Sequence, residues 1–434
     1  MKALPLVTLI FACSEVHAAA PIEIDWDWAT SVQHTEHQES AFISPDKTSS
    51  VKFDALLDAQ LSLGNWNGLF AIYGQQLYSS AHYLNTNHEY SDGWFEQEHT
   101  DLIIRELAWQ GELTVGDNIL DVTLGKVRVD WGVGYGYRPL DFFKPYAQNP
   151  IGLSVEEGAL VGALSYFDQQ GEWTAIYTNS HWSDREENAF TEANQQHGVG
   201  FRRYVLSGNS EYQWLAYYDD VREGLIGASW VTVLGEAWEL HAESSWQNRY
   251  LQYQLPSQPY QSTALTEHQS AWQGLIGFTY TNMQGHSLIG EYWYDQRAWT
   301  SSQWDEAISQ ADKLASLPHT KSLASSYAQG LNHSNLVQHT LLLHWSWDTQ
   351  AWAQWQTTDS WHWLTDFTPT LDLMYAPQDG GIIATQWLNY QWLDNGDASV
   401  ELEFSARFLS GDNKSSYAQI NDRRTLTLTI KGKF

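Results

Sequence analysis

The last stretch of the chain, Arg424 to Phe434, alternates strictly between apolar and polar side chains. Leu426, Leu428 and Ile430 fall on one face of this stretch, while threonines and lysines fall on the other. Successive side chains of a strand point to opposite faces, so the pattern indicates a strand with one oily and one wet side. Soluble β-sandwiches and membrane barrels both use such strands.

The composition restricts the partners and the way in which the chain can cross a membrane. Lys and Arg total 22 against 52 Asp and Glu, a formal charge of -30 that excludes nucleic acid as an expected partner. Beyond the N-terminus no run approaches the roughly 20 apolar residues of a transmembrane helix. The 24 Trp and 23 Tyr are typical of membrane interfaces, although a Trp-rich carbohydrate-binding β protein shares this composition.

The N-terminus has the features of an exported protein. An apolar stretch at residues 3–12 is followed by Val16-His17-Ala18, which fits the small-x-small cleavage pattern. We therefore expect residues 1–18 to be a signal peptide. Lipoprotein processing at Cys13 is the alternative, but the bulky Phe11 is a poor match to it. Cleavage would remove the only cysteine, which excludes disulfides and Cys-ligated zinc from the mature chain.

Short polar turns alternate with long polar connections along the mature chain. Most of the turns contain the Asn, Asp or Gly that short hairpins require. We place turns at 64–66, 115–118, 168–171, 207–210, 234–236, 282–285, 348–350 and 394–397. Long connections lie near residues 35–50, 80–100, 130–156, 181–196, 248–269, 297–335, 361–380 and 410–422.

This alternation predicts an all-β protein, a single closed antiparallel transmembrane β-barrel over residues 19–434. The short turns would be periplasmic and the long loops extracellular. Together with the opening and closing strands, the turns give about 18 strands, with about 16 as the alternative because residues 350–381 are hard to assign. Ring closure satisfies every backbone donor and acceptor in lipid, which an open sheet does not do.

The same periodicity predicts which side chains face the lumen. The oily face of each strand should meet lipid, so the polar face should line the pore. The predicted pore-lining residues are Glu23, Asp25, Asp27, Asp54, Asp58, Glu239, Glu243, Glu401, Glu403, Arg407, Lys431 and Lys433. Closure pairs the first strand with the last, so the two lysines should face the three N-terminal acids across the seam.

Two stretches resemble a known class of proteins. The C-terminal strand, which ends on Phe434, resembles the closing strand of Gram-negative outer-membrane β-barrels, whose terminal Phe is part of the signal for the barrel-assembly machinery. The stretch from Leu102 to Tyr146 resembles a pattern of porin-like and polysaccharide-export-type barrels. The resemblance implies the cell outer membrane as location. It also implies membrane lipids, lipopolysaccharide and the assembly machinery as partners.

The second resemblance also implies site residues. Lys126 and Arg128 would join Arg105 or Glu106 in a polar cluster on the barrel wall. Arg105 and Glu106 are adjacent, so only one of them should face the lumen. A loop beginning at Trp131-Gly132 would fold inward. The motif has Lys126 and Val127 where the Gly-Arg-Gln form is commoner, so it predicts architecture more than substrate.

The loop at residues 131–156 is unusually aromatic for an exposed connection. Its glycines allow sharp bends, and its Tyr and Phe side chains need a surface to pack against. Packing inside the barrel would narrow the pore and place Arg138, Asp141 and Lys144 at a constriction. The alternative is an aromatic cap at the outer rim.

The predicted function is an outer-membrane channel for small solutes, preferably cationic or neutral, because acidic wall residues outnumber basic ones. One alternative is a plugged barrel that serves as export or scaffold partner for a surface polymer or protein. Another is a hydrolase at the rim, but the 16 histidines show no spacing that selects a metal or a catalytic triad. We expect no catalytic residues, metal or cofactor. Homo-oligomers are compatible with the sequence.

Overall fold

The computed structural model describes residues 23–42, 48–84, 90–143, 153–182, 188–258, 260–317, 319–351, 359–396 and 398–434. The expected signal peptide and Lys144 lie outside these ranges. Within them the chain forms an 18-stranded antiparallel sheet. In chain order the strands are β1 (Glu23–His37), β2 (Ser49–Leu63), β3 (Trp66–Leu84), β4 (Tyr90–Val115), β5 (Asn118–Val127), β6 (Ala159–Phe167), β7 (Gly171–Asn179), β8 (His197–Ser207), β9 (Ser210–Asp219), β10 (Leu225–Leu234), β11 (Trp238–Gln254), β12 (Ala264–Thr281), β13 (His286–Asp295), β14 (His339–Trp347), β15 (Phe367–Ala376), β16 (Gly381–Asp394), β17 (Ser399–Ser410) and β18 (Asp422–Lys433).

The ring is closed by pairing between β1 and β18. Their register runs from Asp27 opposite Lys433 to Glu36 opposite Arg424. Every strand thereby has a hydrogen-bonded neighbour on both sides, and the sheet has no open edge. The prediction of one closed barrel with about 18 strands is confirmed.

Large apolar side chains cover the outer face of the ring. Phe53, Leu102 and Phe404 are 43%, 77% and 47% exposed, whereas the neighbouring Asp54 and Ser405 are buried. A soluble sandwich would bury its oily face instead. The apolar face is therefore the lipid-facing outside of a transmembrane barrel.

One pair of connections is the reverse of the prediction. A tight turn was predicted at 348–350 and a long loop at 361–380. In the structure, β14 ends at Trp347 and β15 begins at Phe367, so the connection on the side of the short turns is long, while residues 377–380 form a short connection on the side of the long loops. The prediction is wrong because Pro369, a residue typical of loops, lies in β15. The strand tolerates this proline because it lies close to the start of β15, where a missing backbone N–H costs little.

Two hairpins are longer than predicted. β3 and β4 have 19 and 26 residues, and β11 and β12 have 17 and 18. Strands of about 9 to 11 residues suffice to cross the bilayer, so both hairpins project beyond it on the loop side. They occupy much of what was predicted as loop near residues 80–100 and 248–269.

Helices are confined to the connections. They are α1 (Ala189–Ala193), α2 (Ser301–Ala315), α3 (Lys321–Ser326) and short 3-10 helices, of which Tyr327–Asn332 follows α3 directly. Among the described residues, no helix has the length and apolar character needed to cross a membrane.

Candidate functional site in the barrel interior

The connection between β5 and β6 spans residues 128–158, and its described parts, residues 128–143 and 153–158, lie inside the ring and are called the inner loop below. Leu140 packs against Leu215 of β9, while the ring of Tyr135 lies 4.3 Å from that of His344 on β14. Leu140 and Tyr135 are five positions apart in the chain but contact strands that are five apart in the ring. So short a segment spans that distance only by crossing the interior of the barrel, because the path around the wall is longer. The inner loop therefore occupies space that would otherwise be open lumen.

Carboxylates on the wall hold the inner loop by its backbone. Glu243 of β11 accepts a hydrogen bond from the N–H of Val133 at 2.7 Å. Glu291 of β13 accepts two, from the N–H groups of Tyr135 at 2.6 Å and Gly136 at 2.9 Å. An irregular segment shielded from water needs partners for its backbone donors, and a carboxylate is a strong acceptor. These acids therefore anchor the loop and do not present free charge to the lumen.

Asp141 ties the inner loop to itself. Its carboxylate accepts hydrogen bonds from the N–H groups of Trp131 at 2.6 Å and Gly132 at 2.7 Å, and it lies 3.4 Å from Arg138. Burial raises the pKa of Asp141, although both N–H groups act in the opposite direction. The predicted constriction residues Arg138 and Asp141 thus form a short internal pair, with Asp141 only 6% exposed.

A polar junction joins the tip of the inner loop to the base of the connection between β13 and β14. The hydroxyl of Tyr137 has two acceptors for its proton, Gln273 at 2.6 Å and Asp295 at 3.1 Å. Asp295 also pairs with Arg297 at 2.7 Å and accepts from the amide of Asn335 at 2.8 Å. Burial, together with the charge of Asp295, raises the pKa of Tyr137 well above its ordinary value.

Residues 299–317 and 319–332, which include α2 and α3, form a second element over the loop-side mouth, called the helical lid. Trp304 packs against Trp299, with ring centroids 4.8 Å apart, and against Phe42, at 6.3 Å. Phe42 belongs to the connection between β1 and β2, far around the ring from β13. The lid therefore crosses the mouth. Its apolar cluster also contains Ala307, Ile308, Ala311, Leu314, Ala324 and Tyr327.

His333 lies at the foot of the helical lid. Its Nδ1 is 2.9 Å from the carbonyl oxygen of Asn335, and its ring lies 5.3 Å from that of Phe190 in the connection between β7 and β8. Burial lowers the pKa of His333 to about 4, against the opposing effect of the Asp295 charge. The side chain is therefore held in its neutral form.

Arg105 faces the lumen, and a β-bulge places Glu106 on the same face. Arg105 forms an ion pair with Asp58 at 2.6 Å. The register between β3 and β4 shifts at this point, so that Glu106 lies opposite Leu69, two residues before the inward Ala71. The expectation that only one of these neighbours faces inward is wrong, because the extra residue of a bulge breaks the alternation.

The other two cations of the predicted polar cluster also have acidic partners. Lys126 forms an ion pair with Glu157, and Arg128 lies 3.6 Å from Glu156 and 3.0 Å from Asp130. Glu156 and Glu157 belong to the returning half of the inner loop. The cluster therefore joins that half to the wall by charge pairs.

At the seam, the ion pairs differ from those predicted. Asp27 lies directly opposite Lys433, as expected from closure. Lys431, however, lies opposite Ala29 and forms its ion pairs within the wall, with Glu401 at 3.1 Å and Glu403 at 3.0 Å on β17. Glu23 and Asp25 pair with β2, beyond the end of the β1–β18 register. The predicted face-to-face pairing of all three acids with both lysines is therefore wrong, because β18 ends before it reaches them.

Exposed carboxylates gather inside the barrel near the turn side. They are Glu23, Asp25, Asp27, Glu112 and Asp121. The partner of Asp27 on β2 is the inward Asp58, and Glu112 lies opposite Asp121. Across the described ranges, no ion pair within 4.0 Å is formed by any of these five, including Asp27, although Lys433 lies opposite it in the register. This end of the lumen consequently carries a net negative charge.

The remaining predicted wall residues also have identified positions. Asp54 is buried and accepts a hydrogen bond from Tyr73 at 2.7 Å, with Lys52 at 3.1 Å. Glu239 is 43% exposed at its side chain, and Arg407 donates to Thr385 at 3.0 Å. Their role as lining of a conducting pore remains a prediction.

Sequence reasoning missed the anchors Glu291 and Asp295. A signal was present, since Glu291, Trp293 and Asp295 share one face of β13 by simple alternation. What alternation does not reveal is that a loop from another part of the chain approaches that face. For metals, the described part of the chain contains no group of three or more His, Cys, Asp and Glu side chains placed to hold an ion.

Comparisons with known proteins agree on the architecture. No protein-family model and no curated protein sequence matches the chain. Among solved structures, OccK7 (OpdD) of Pseudomonas aeruginosa has a TM-score of 0.52 and 10% identity, covering 96% of this chain and 99% of that one. OpdQ of the same organism gives 0.51 and 7%, with 96% and 99% covered. OccAB1 of Acinetobacter baumannii gives 0.50 and 10%, with 95% and 96% covered.

The chain has the fold of Gram-negative outer-membrane porins. At 7% to 10% identity this likeness extends to the fold alone. The fold agrees with the predicted location in the outer membrane. What the interior does has to be argued from the residues of this chain.

Proposed function

We propose that this barrel is a channel that lets small polar solutes cross the outer membrane, with cationic and neutral solutes preferred. The observation that carries the proposal is the group of unpaired carboxylates on the turn side of the lumen. Asp58, Glu157, Glu401 and Glu403 are paired with Arg105, Lys126 or Lys431, and Glu243 and Glu291 accept N–H groups of the inner loop. The unpaired group is therefore the main source of field along a solute path.

The position of the inner loop supports a path along the seam. Its outgoing half packs on the walls of β6 to β15, and its returning half, at Leu153 and Val155, packs beside Ala71 and Tyr73. The part of the wall on which the described inner loop does not pack is formed by β16 to β18 and β1. That wall carries the ion pairs of Lys431 with Glu401 and Glu403, whose side chains are partly exposed, whereas its hydroxyls Ser405 and Thr427 are buried. A solute passing there would meet the charged groups.

Conductance in planar bilayers tests the proposal. The purified barrel should conduct, and its reversal potential in a salt gradient should have the sign of cation preference. Replacing Asp25 and Asp27 by Asn should move the reversal potential toward zero. Glu36→Gln is the matched control, since Glu36 is on the opposite face of β1 and pairs with Arg424. Anion preference in the wild type, or equal shifts in both variants, would contradict the proposal.

A second candidate is a plugged barrel acting as a scaffold or export partner. The helical lid favours it, because an apolar cluster that reaches Phe42 spans the loop-side mouth. A plugged barrel should not conduct until residues 301–332 are replaced by a short Gly-Ser linker or residues 134–144 are deleted. Conductance of the untouched protein decides in favour of the channel.

A further inference from the structure

The hairpin of β3 and β4 rises above the strand that follows it. β4 pairs with β3 as far as Tyr90, which lies opposite Leu84. Its pairing with β5 ends much lower, at Leu107, which lies opposite Lys126. The ring is therefore closed in its membrane-spanning rows, while β4 continues beyond β5 toward the loop side.

The upper part of β4 consequently has one edge without a neighbouring strand. Among the described residues, no strand pairs with positions 90–106 on the side away from β3. The carbonyl of Arg105 accepts the N–H of Gly158 at 2.9 Å, so the edge is occupied at that point. Residues 90–100, called the β4 edge below, form no such bond with any described residue on that side. Backbone donors and acceptors therefore recur there at every second position.

The β4 edge lies outside the membrane. The outward apolar side chains of β4 end with Ile104 and Leu102, which are 46% and 77% exposed. Above them, residues 96–100 are all exposed, so both faces of the hairpin meet water. A partner for the edge therefore comes from the aqueous space on the loop side and not from the lipid.

The other tall hairpin has the corresponding flank covered by the protein itself. β11 also extends beyond its neighbour β10, since their pairing ends at Gln247. There, however, the N–H of Arg249 donates to the carbonyl of Arg222 at 2.9 Å, and the indole of Trp299 donates to the carbonyl of Tyr253 at 2.7 Å. Projection of a hairpin does not by itself leave an edge open, so the β4 edge is a distinct feature.

Charge restricts which strand can pair with the β4 edge. Between Lys52 and Arg105 the chain contains no Lys or Arg, so the whole projecting hairpin lacks a basic residue. Glu96 and Glu98 share one face of β4, both are exposed, and no described cation lies within 4.0 Å of either carboxylate. Opposite charges on neighbouring strands stabilise pairing, and like charges destabilise it. The strand that fits this edge therefore carries Lys or Arg at alternate positions.

Other occupants fit the β4 edge poorly. Two barrels in one membrane have the same orientation, so paired β4 strands would run in the same direction and place Glu96 and Glu98 beside their own counterparts. A polysaccharide or a lipid headgroup has no backbone that repeats donors and acceptors with the spacing of a strand. An extended polypeptide has this repeat.

We propose that the β4 edge binds an extended, basic segment of another protein as an added strand. Backbone hydrogen bonds to the edge provide the affinity, and the carboxylates of Glu96 and Glu98 select basic side chains. The proposal is independent of whether the pore conducts.

Fluorescence anisotropy with the full barrel in detergent micelles tests the proposal. The probe is a labelled peptide, Thr-Lys-Thr-Lys-Thr-Lys-Thr-Lys-Thr, which the wild type should bind. Replacing both acids, Glu96→Gln with Glu98→Gln, should weaken binding about five-fold. The matched control is Glu223→Gln with Glu267→Gln, which removes two solvent-accessible carboxylates beside β11 and should leave binding unchanged. Heat-modifiable mobility on gels verifies that each variant is folded.

A second peptide separates strand addition from attraction by charge. Proline in place of the three inner threonines retains every lysine but removes backbone donors and prevents regular pairing, so this peptide should bind about ten-fold more weakly. Hydrogen exchange locates the bound probe. Amides of residues 90–100 should exchange more slowly with the threonine peptide bound, and those of residues 264–270 on β12 should be unaffected.

The outcomes separate the occupants. Weaker binding in the Glu96 and Glu98 double variant alone, together with slower exchange at the β4 edge, supports the proposal. Absence of binding, equal binding of the proline peptide or unchanged exchange overturns it. A dimer that cross-links through β4 would assign the edge to a second copy, and slow exchange at residues 90–100 without peptide would assign it to another segment of this chain. Either result also overturns the proposal.

Discussion

The inner loop and the helical lid both occupy the barrel's opening, yet they are held in opposite ways. The inner loop has no regular secondary structure at its tip, and wall carboxylates satisfy its N–H groups. The helical lid satisfies its own backbone within α2 and α3, and an apolar cluster around Trp304 holds it. A segment without regular secondary structure cannot satisfy its own backbone N–H groups, so carboxylates of the barrel wall accept their hydrogen bonds. A helical segment satisfies most of its own N–H groups, so apolar packing is sufficient to hold it.

The largest expected effect concerns the inner loop, which is held by hydrogen bonds to wall carboxylates. Glu291→Ala removes the acceptor of two loop N–H groups and of His241. At about 1.5 to 3 kcal/mol for each hydrogen bond to a charged group, the loop should lose roughly 5 kcal/mol of holding energy. Amide hydrogen exchange at residues 133–140 should accelerate, and single-channel noise should increase.

Glu112→Ala is the control for that experiment, because Glu112 is an inward acid in an exposed position on the turn side. If exchange in the inner loop were equally fast in both variants, backbone anchoring by Glu291 would not be what holds the loop.

The helical lid, which is held by apolar packing, should be destabilised when a buried side chain of its cluster is truncated. Trp304→Ala removes a buried ring between Trp299 and Phe42, and such truncations cost about 3 to 5 kcal/mol. Exchange should rise across residues 301–332 and remain unchanged at 133–140. Trp182→Ala, which truncates a 60% exposed ring, should leave both segments as they are. Coupled loosening of the two elements would break the comparison.

Lowering the pH should destabilise the closed helical lid but not the inner loop. The pKa of His333 is lowered to about 4, so between pH 6.5 and this value an opened lid binds a proton that the closed lid does not. Lid opening should therefore become roughly 20-fold more favourable from pH 7 to pH 5. Asp141 has a raised pKa, so its protonation favours the closed inner loop and acid should not release that loop.

Hydrogen exchange corrected for its intrinsic pH dependence measures this difference. His333→Leu should abolish the pH dependence of the lid, while His319→Leu, at an exposed lid position, should retain it. A pH dependence that survives in His333→Leu would assign the titration to another group.

The smallest effect concerns the helix end that makes the lid self-sufficient. Thr300 and Gln303 form a capping box at the start of α2, and Thr300→Ala should cost about 1 kcal/mol. Exchange should rise in the first turn of α2 alone. Ser309→Ala, on the exposed middle of the helix, should be neutral or slightly stabilising. Equal effects of the two changes would argue against capping.

Much of the barrel could be predicted from local patterns, because side-chain alternation and turn residues act over a few positions. The faces of β2 and β17 and the pairing of β1 with β18 follow from such patterns. The bulge at Arg105 does not, since a bulge is defined by two strands together. The anchors of the inner loop escape for the same reason, because they depend on two distant segments meeting.

The lid was missed although its signal was local. Trp304, Ala307, Ile308 and Ala311 recur at helical spacing behind the Thr300–Gln303 box. That signal lay within what was predicted only as a long loop. By contrast, β15 was not predicted as a strand, because it contains Pro369 near its start and proline is typical of loops.

Closure by the first and last strands has a consequence for how the barrel forms. All other strand pairs join neighbours along the chain, so they bring together residues that are close in sequence. Among the pairs of described strands, only β1–β18 spans almost the whole chain, as in the bond between Arg424 and Glu36 across 388 residues. Contacts of long sequence separation form slowly because loop-closure entropy opposes them. The rate of folding should therefore depend on this one joint, and a chain that lacks its final strand should accumulate as an open sheet with two unpaired edges.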